Sequence, residues 1–242
     1  MFYIDKFRSD YHHDFVTVIP NVLPKELCDN LRKRINDAIA DNKVTLVDHQ
    51  GKGTDAVSDG GGRYLHHIFK GEDIREYLPE LKAVYHALLP LISMVTCTEV
   101  VVSPYPRSEI NIKVYPPGGG TLGEHYDTNG ITVLLFLTTN KEAPLRMQIP
   151  RSHPSKKNGW IEKKNIYAEE GSILVMRGRE VLHDCEPTVT EQKITVVLNF
   201  YKRGDTWRPA QFDSFVYDGI DPESGKHRKI EKIQDERIHD FN

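Results

Sequence analysis

The 242-residue chain is poor in cysteine, with only Cys28, Cys97 and Cys185. They are scattered, odd in number and form no CxxC pair, which excludes a disulfide framework and points to a reducing compartment. No stretch approaches the roughly 18 consecutive apolar residues of a membrane helix. The opening MFYIDKFRSDYHHDF lacks an apolar run between a basic start and a small-residue cleavage site, so it does not read as a signal peptide. Neither charge dominates: 32 Lys and Arg stand against 35 Asp and Glu, a net charge of −3. That balance argues against a non-specific grip on nucleic acid or on an anionic membrane. There is no internal repeat and no low-complexity tract. The expectation is a cytoplasmic globular protein, 38% apolar, with enough chain for one sizeable core and too little for two comfortable domains.

Helices are expected first. Phe15–Ile19 is a short β-like run, and Asn21-Val22-Leu23-Pro24 then leads into a helix on which Leu27, Leu31, Ile35, Ala38 and Ile39 recur at helical spacing. A second helix follows Pro79, with Leu81, Val84, Tyr85, Leu88 and Leu89 as its stripe, and Pro90 should kink or end it. Residues 40–63 are polar and glycine-rich, ending in Gly60-Gly61-Gly62, and read as a loop and candidate lid. Arg63–Phe69 alternates weakly, as a strand would.

From about Val100 the pattern changes to short runs rich in Val, Ile, Leu, Thr and Tyr: Ile110–Tyr115, Ile131–Leu137, Leu145–Ile149, Ser172–Met176 and Ile194–Tyr201. Strands at this spacing, with no helices between them, indicate an antiparallel sandwich or barrel. The fold class expected is α+β. One domain would span residues 1–217, with helical support over about 1–100 and a β-roll core over about 101–217, and the charged segment 218–242 would form a tail.

His125-Tyr126-Asp127 lies just before a strongly β-like run. In extended backbone, residues i and i+2 point to one side, so the imidazole and the carboxylate aim at a common point while Tyr126 turns away. A third ligand must come from another strand. His183, between the runs Ser172–Met176 and Ile194–Tyr201, is the best candidate. Two histidines and one carboxylate on one face leave positions open on an octahedral metal, the arrangement of non-haem iron(II) oxygenases.

The segment Tyr115-Pro-Pro-Gly118-Gly-Gly-Thr-Leu-Gly123-Glu-His125-Tyr-Asp127 resembles the prolyl-4-hydroxylase-like branch of the iron(II)/2-oxoglutarate-dependent dioxygenases, in which a tyrosine stands ten residues before the His-x-Asp histidine. The block from Glu170-Gly171 through His183 to Pro187-Thr-Val189 is similar to the family's second motif. Val18-Ile19-Pro-Asn-Val22-Leu23-Pro-Lys-Glu26-Leu27-Cys28 is similar to its usual N-terminal helix. The likeness spans roughly residues 15–203. Two departures, Ala143-Pro144 and Glu191 where the family often has glycine, lie outside the triad.

The resemblance implies a double-stranded β-helix (jelly-roll) core with N-terminal supporting helices. It also implies Fe(II) held by His125, Asp127 and His183, with 2-oxoglutarate and O2 as co-substrates. The family's co-substrate anchor is a basic residue nine or ten positions after the second histidine, and Lys193 stands ten after His183. Its strand places Lys193, Thr195, Val197 and Asn199 on the more polar face, and Tyr115 could add a hydrogen bond to the same carboxylate. Asp127, where related halogenases carry a small residue, implies hydroxylation, desaturation or ring closure.

Arg146 and Gln148, on one strand face, and Arg63, Arg107, Arg179 and Trp160 are candidates for reaching the substrate, an arginine suiting a carboxylate or phosphate. Cys185 reads as a small buried hydrophobe. His66-His67, whose rings point to opposite faces of a strand, reads as structural or at most pocket-lining. The substrate expected is a free small molecule such as an amino acid or a biosynthetic intermediate, with no nucleic-acid or membrane partner. The alternatives are a peptidyl or prolyl hydroxylase acting on a protein, an oxygenase of the same fold that uses no keto acid, and a non-catalytic cupin-like binding module.

Overall fold

Apolar residues at helical spacing build the N-terminal half. The computed structural model describes residues 2–50, 63–119, 124–153, 156–205 and residue 213. Helix α1 (Phe2–Asp14) buries Phe7 and Tyr11, one turn apart. Helix α2 (Lys25–Ala40) buries Cys28, Leu31, Ile35 and Ala38, a single stripe, behind Pro24, whose fixed φ suits a helix start. The short α3 (Gly71–Tyr77) begins where the Lys70 backbone N–H donates to Asp73 Oδ2 at 2.8 Å. Helix α4 (Glu80–Thr96) buries Leu81, Tyr85, Leu88, Ile92 and Val95. None of these helices is long and apolar enough to cross a membrane.

Of the two outcomes expected at Pro90, ending is the one not met: helix α4 runs through it to Thr96. An interior proline costs about 3 kcal/mol. Burying a large aliphatic side chain contributes roughly 1.5–3 kcal/mol, and beyond the proline both Ile92 and Val95 are wholly buried. Packing therefore outweighs the missing rung. The loop expected over residues 40–63 is also partly corrected. Thr45–Gln50 forms strand β2, paired antiparallel with β3 (Arg63–Phe69), while residues 51–62 lie outside the described residues. So does the expected tail, 218–242.

The β-rich half holds two antiparallel sheets facing each other. With β1 (Val16–Ile19), the strands are β4 (Val100–Val102), β5 (Ile110–Tyr115), β6 (Ile131–Phe136), β7 (Asn140–His153), β8 (Lys156–Ala168), β9 (Ile173–Met176), β10 (Leu182–Cys185) and β11 (Lys193–Lys202). The larger sheet runs β1-β9-β6-β11-β5-β3-β2, with β4 also on β11, and the smaller runs β10-β7-β8. Strand β8 and the full length of β7 were not expected. The polar, lysine-rich run before Ile166 carries no apolar alternation, and its pairing with β7 supplies the order.

Strand alternation assigns each side chain to one of two cores. On β5, β6 and β11 the residues Ile110, Ile112, Val114, Ile131, Val133, Leu135, Ile194, Val196 and Leu198 pack against the helices. Their neighbours Leu134 and Phe136, with Leu174 and Met176 of β9, instead meet Leu145, Met147 and Ile149 of the small sheet. Both faces of the large sheet are thus covered, which is why β6 is buried at every position. The one polar stripe left between the sheets is where the site forms.

Tyr85 ties the two halves together. Its hydroxyl donates to the Asn199 carbonyl of β11 and accepts the Ser103 N–H at 2.8 Å. Tyr85→Phe leaves both backbone groups buried without this partner, and should cost about 1–3 kcal/mol. Urea unfolding should show a lower midpoint with an unchanged slope; an unchanged midpoint would mean the hydroxyl carries no stability.

Candidate metal centre and its cavity

Three chain segments meet at the open end of the space between the sheets. His125 and His183 face each other through two backbone hydrogen bonds, each N–H donating to the other's carbonyl at 3.0 Å. His183 is further fixed in β10 by its register with Met147 of β7. Asp127 follows in extended loop, its N–H donating to the Gly178 carbonyl at 2.9 Å. His-x-Asp therefore lies on a bridge and loop beside β10, and not inside a strand of its own.

The ligand atoms of His125, Asp127 and His183 all lie within 4.8 Å of one another. Asp127 Oδ1 stands 3.6 Å from His125 Nε2 and 3.7 Å from His183 Nε2. These separations are beyond hydrogen-bond length. Ligands about 2.1 Å from a shared metal sit about 3.0–3.4 Å apart, so a shift of a few tenths of an ångström would close the set. Each remaining atom is tied down from behind. His183 Nδ1 lies 3.0 Å from the Val181 carbonyl, which fixes its proton there and leaves the Nε2 lone pair facing the carboxylate. Thr132 Oγ1 donates to Asp127 Oδ2 at 2.5 Å, and Asn129 Nδ2 donates to Thr132 Oγ1 at 2.9 Å and to the Ile131 carbonyl at 2.6 Å. One carboxylate oxygen is thus held by hydroxyl, and the other is presented to the imidazoles.

Gly178 permits this approach. A Cβ there would lie 2.6 Å from Thr132 Oγ1 and 2.8 Å from Asp127 Cβ, closer than real contacts allow. Arg179 adds support, its Nε donating to the Thr128 carbonyl at 2.9 Å while its Nη1 meets Asp205 at 3.3 Å.

The electrostatics suit a cation. Burial alone would raise the Asp127 pKa, but the facing imidazoles and the Thr132 hydroxyl outweigh it and hold the carboxyl well below its usual range. Burial, assisted by His125, pushes His183 down to about 4 against the opposing pull of Asp127. At neutral pH the site therefore offers a carboxylate and an unprotonated His183. These are the donors a borderline metal such as iron(II) takes.

Beside the triad, a cavity that is partly open to solvent runs between the sheets. Leu134, Phe136, Leu145 and Val197 give it apolar walls. Lys193, Tyr115 and Thr195, expected at the co-substrate, all line it. Lys193 Nζ donates to the Ala143 carbonyl at 2.9 Å and lies 2.7 Å from Cys185 Sγ. Cys185 is thus a cavity residue in contact with an ammonium, a role its reading as a plain hydrophobe did not include. The Thr195 hydroxyl is buried without a hydrogen-bond partner. His66 packs its ring against Tyr115 at 5.3 Å and does not line the cavity.

The side chains expected at a substrate are mostly elsewhere. The face of β7 turned inward is the apolar one, led by Leu145. Arg146 therefore points outward to Asp184 and Glu186, and Gln148 bonds Glu124 at 2.6 Å. Arg107 pairs with Glu72 beside α3, Arg179 buttresses the loop at Thr128, and Trp160 stands on the exposed side of β8. None of these five lines the cavity; the Arg63 side chain lies outside the described residues. Sequence reasoning missed Thr132, Gly178 and, above all, Lys113. Lys113 lines the cavity, and burial pushes its pKa down to about 8 against the attraction of Asp127 and Cys185. Its signal was the alternation of β5, which puts Lys113 on the same face as Tyr115.

No family model and no curated protein matches the sequence. Solved structures do match in fold. The non-haem alpha-ketoglutarate-dependent epimerase SnoN from nogalamycin biosynthesis is 9% identical, with a TM-score of 0.66 over 92% of this chain and 91% of its own. The carbocyclase SnoK of the same biosynthesis is 13% identical, with a TM-score of 0.65 over 93% of each chain. A Pseudomonas putida prolyl-4-hydroxylase is 14% identical, with a TM-score of 0.53 over 83% of this chain and 99% of that one. The chain therefore has the double-stranded β-helix fold of these oxygenases.

The depressed His183 pKa has a sign. Between its ordinary value near 6.5 and about 4, the unfolded state binds a proton that the folded state refuses, so stability falls as pH is lowered through that window. In metal-free protein this contribution amounts to roughly 3 kcal/mol. Urea unfolding at stepped pH should show it, and His183→Gln should remove it; an equally steep loss in the variant would place the titrating group elsewhere.

Proposed function

We propose that the chain is an iron(II)- and 2-oxoglutarate-dependent oxygenase that oxidises an unactivated C–H bond of a small molecule. The observation that carries this is the convergence of His125, Asp127 and His183 on a cavity that Lys193 and Thr195 also line. The double-stranded β-helix on which they stand supports the same reading. His125 Nε2, Asp127 Oδ1 and His183 Nε2 would hold the metal, and Lys193, Thr195 and Tyr115 would receive the distal carboxylate. The group bound there would supply oxidising power, with dioxygen as the oxidant and 2-oxoglutarate consumed to succinate.

The chain's own residues orient and exclude. Thr132 holds Asp127 in one rotamer, so a single oxygen faces the metal position. The Val181 carbonyl keeps the His183 proton on Nδ1. Leu134, Phe136, Leu145 and Val197 keep water from the cavity walls, which strengthens each charge interaction inside. Protein side chains need move no proton at the reacting carbon, since His183 stays neutral and Asp127 stays ionised over the physiological range.

A small-molecule substrate is favoured over a protein by the extent of the likeness. SnoN, also solved with Fe3+, alpha-ketoglutarate and nogalamycin RO, and SnoK match nearly the whole chain at TM-scores of 0.66 and 0.65. The prolyl-4-hydroxylase and a Trichoplax adhaerens prolyl hydroxylase solved with a peptide match less of it, at 0.53 and 0.60. The binding-module alternative is disfavoured because the triad and Lys193 are both intact.

Succinate formation tests the proposal. Iron(II)-loaded protein in air should convert 2-oxoglutarate to succinate, slowly without substrate and faster with it, and Asp127→Ala or His183→Ala should reduce this to background. Wild-type protein that binds iron but yields no succinate with any added small molecule would overturn the reading.

A further inference from the structure

Two adjacent cross-strand pairs form a polar patch on an otherwise apolar cavity wall. In the register of β11 against β5, Lys193 stands opposite Tyr115 and Thr195 stands opposite Lys113. All four side chains line the cavity. Lys113 and Lys193 are diagonal neighbours on one sheet face, about 7–8 Å apart at that spacing, so both ammonium groups can reach one small anion between them.

Their hydrogen bonding differs. Lys193 spends two of its three donors on the Ala143 carbonyl and Cys185. Lys113 has no hydrogen bond and no ion pair among the described residues, and its cross-strand partner Thr195 has a buried hydroxyl with none either. A buried charge without a hydrogen-bonded or ion-paired partner is costly, and the attraction of Asp127 and Cys185 does not offset the burial of Lys113. An anion in the cavity would.

We propose that Lys113 is a second carboxylate receptor, which with Thr195 completes the seat of Lys193 and makes the cavity selective for a dicarboxylate co-substrate over a monocarboxylate. The inference rests on the keto-acid reading above and extends it to a residue with no part in that reading. A carboxylate offers about four lone-pair sites. The free donor of Lys193, the Tyr115 and Thr195 hydroxyls and the donors of Lys113 together can satisfy most of them, where without Lys113 a single cation would face the carboxylate in a low-dielectric wall. Asp127, Cys185 and His183 also feel the Lys113 charge, and Cys185 in turn touches Lys193.

The test is equilibrium binding, read by calorimetry without oxygen on protein loaded with Mn(II). Lys113→Met keeps the length and removes the charge; Lys113→Arg keeps the charge. Lys113→Met should weaken 2-oxoglutarate binding about ten- to a hundredfold, leave Mn(II) affinity unchanged, and barely alter the weak binding of 2-oxobutyrate, which lacks the distal carboxylate. Lys113→Arg should recover part of the loss. Thermal unfolding of the ligand-free protein separates receptor from scaffold: Lys113→Met should raise Tm, because it removes a charge whose burial outweighs the attraction of Asp127 and Cys185. Unchanged 2-oxoglutarate affinity in Lys113→Met, or equal losses for both keto acids, would overturn the inference and leave the proposed function standing. Failure of the Mn(II)-loaded wild type to bind 2-oxoglutarate at all would overturn both.

Discussion

The pair of backbone hydrogen bonds between His125 and His183 is the constraint on which the site depends. Only His183 has a regular strand partner, Met147 of β7, and His125 depends on the bridge for its place. His125 lies in extended loop, and His183 sits in a four-residue strand at the edge of the smaller sheet. Locking each to the other fixes two imidazoles with ring centroids 4.3 Å apart, and leaves Asp127 to be brought in by the Gly178 carbonyl. The sandwich supplies the force that keeps this bridge closed. Apolar side chains of both sheets interdigitate immediately behind it, and the helices press on the outer face of the larger sheet.

That division of labour also explains where polarity is tolerated. The strands β5, β6 and β11 send one side chain in two toward the helices, where every position is aliphatic or aromatic. Alternate positions face the cavity, and there these strands place Lys113, Thr132, Lys193 and Thr195, with Asp127 beside them. Such groups weaken a core unless they are paired. Asp127 is compensated by the hydroxyl of Thr132 and the imidazoles, and Lys193 by a carbonyl and a thiol. Lys113 and Thr195 make no hydrogen bond among the described residues, and the proposed carboxylate seat rests on that asymmetry.

Much of this was legible in the sequence, because it is carried by local periodicity. The alternation of Ile110–Tyr115 and of Ile194–Tyr201 carries both strands, that of the second also carries its inward face, and the spacing within His125-Tyr126-Asp127 carries two of the three converging side chains. What was not legible depends on contacts between distant segments. Helix α1 contributes chiefly Phe7 and Tyr11, too few for a periodic signal. Strand β8 is ordered by pairing with β7. Alternation alone does not choose between the two faces of β7, so it cannot tell that Leu145, and not Arg146 or Gln148, faces the cavity. Nor does a single lysine in an apolar strand such as β5 reveal which partner its face will meet.

The account's central claim is that the triad and the cavity behind it together bind iron(II) and a keto acid. The most direct measurement is an anaerobic titration of iron(II)-loaded protein with 2-oxoglutarate, monitored in the visible region for the weak metal-to-ligand charge-transfer band of a chelated keto acid. The account predicts a saturable band in the wild type and none in His183→Ala. Iron bound by the wild type with no band at any concentration of 2-oxoglutarate would contradict it.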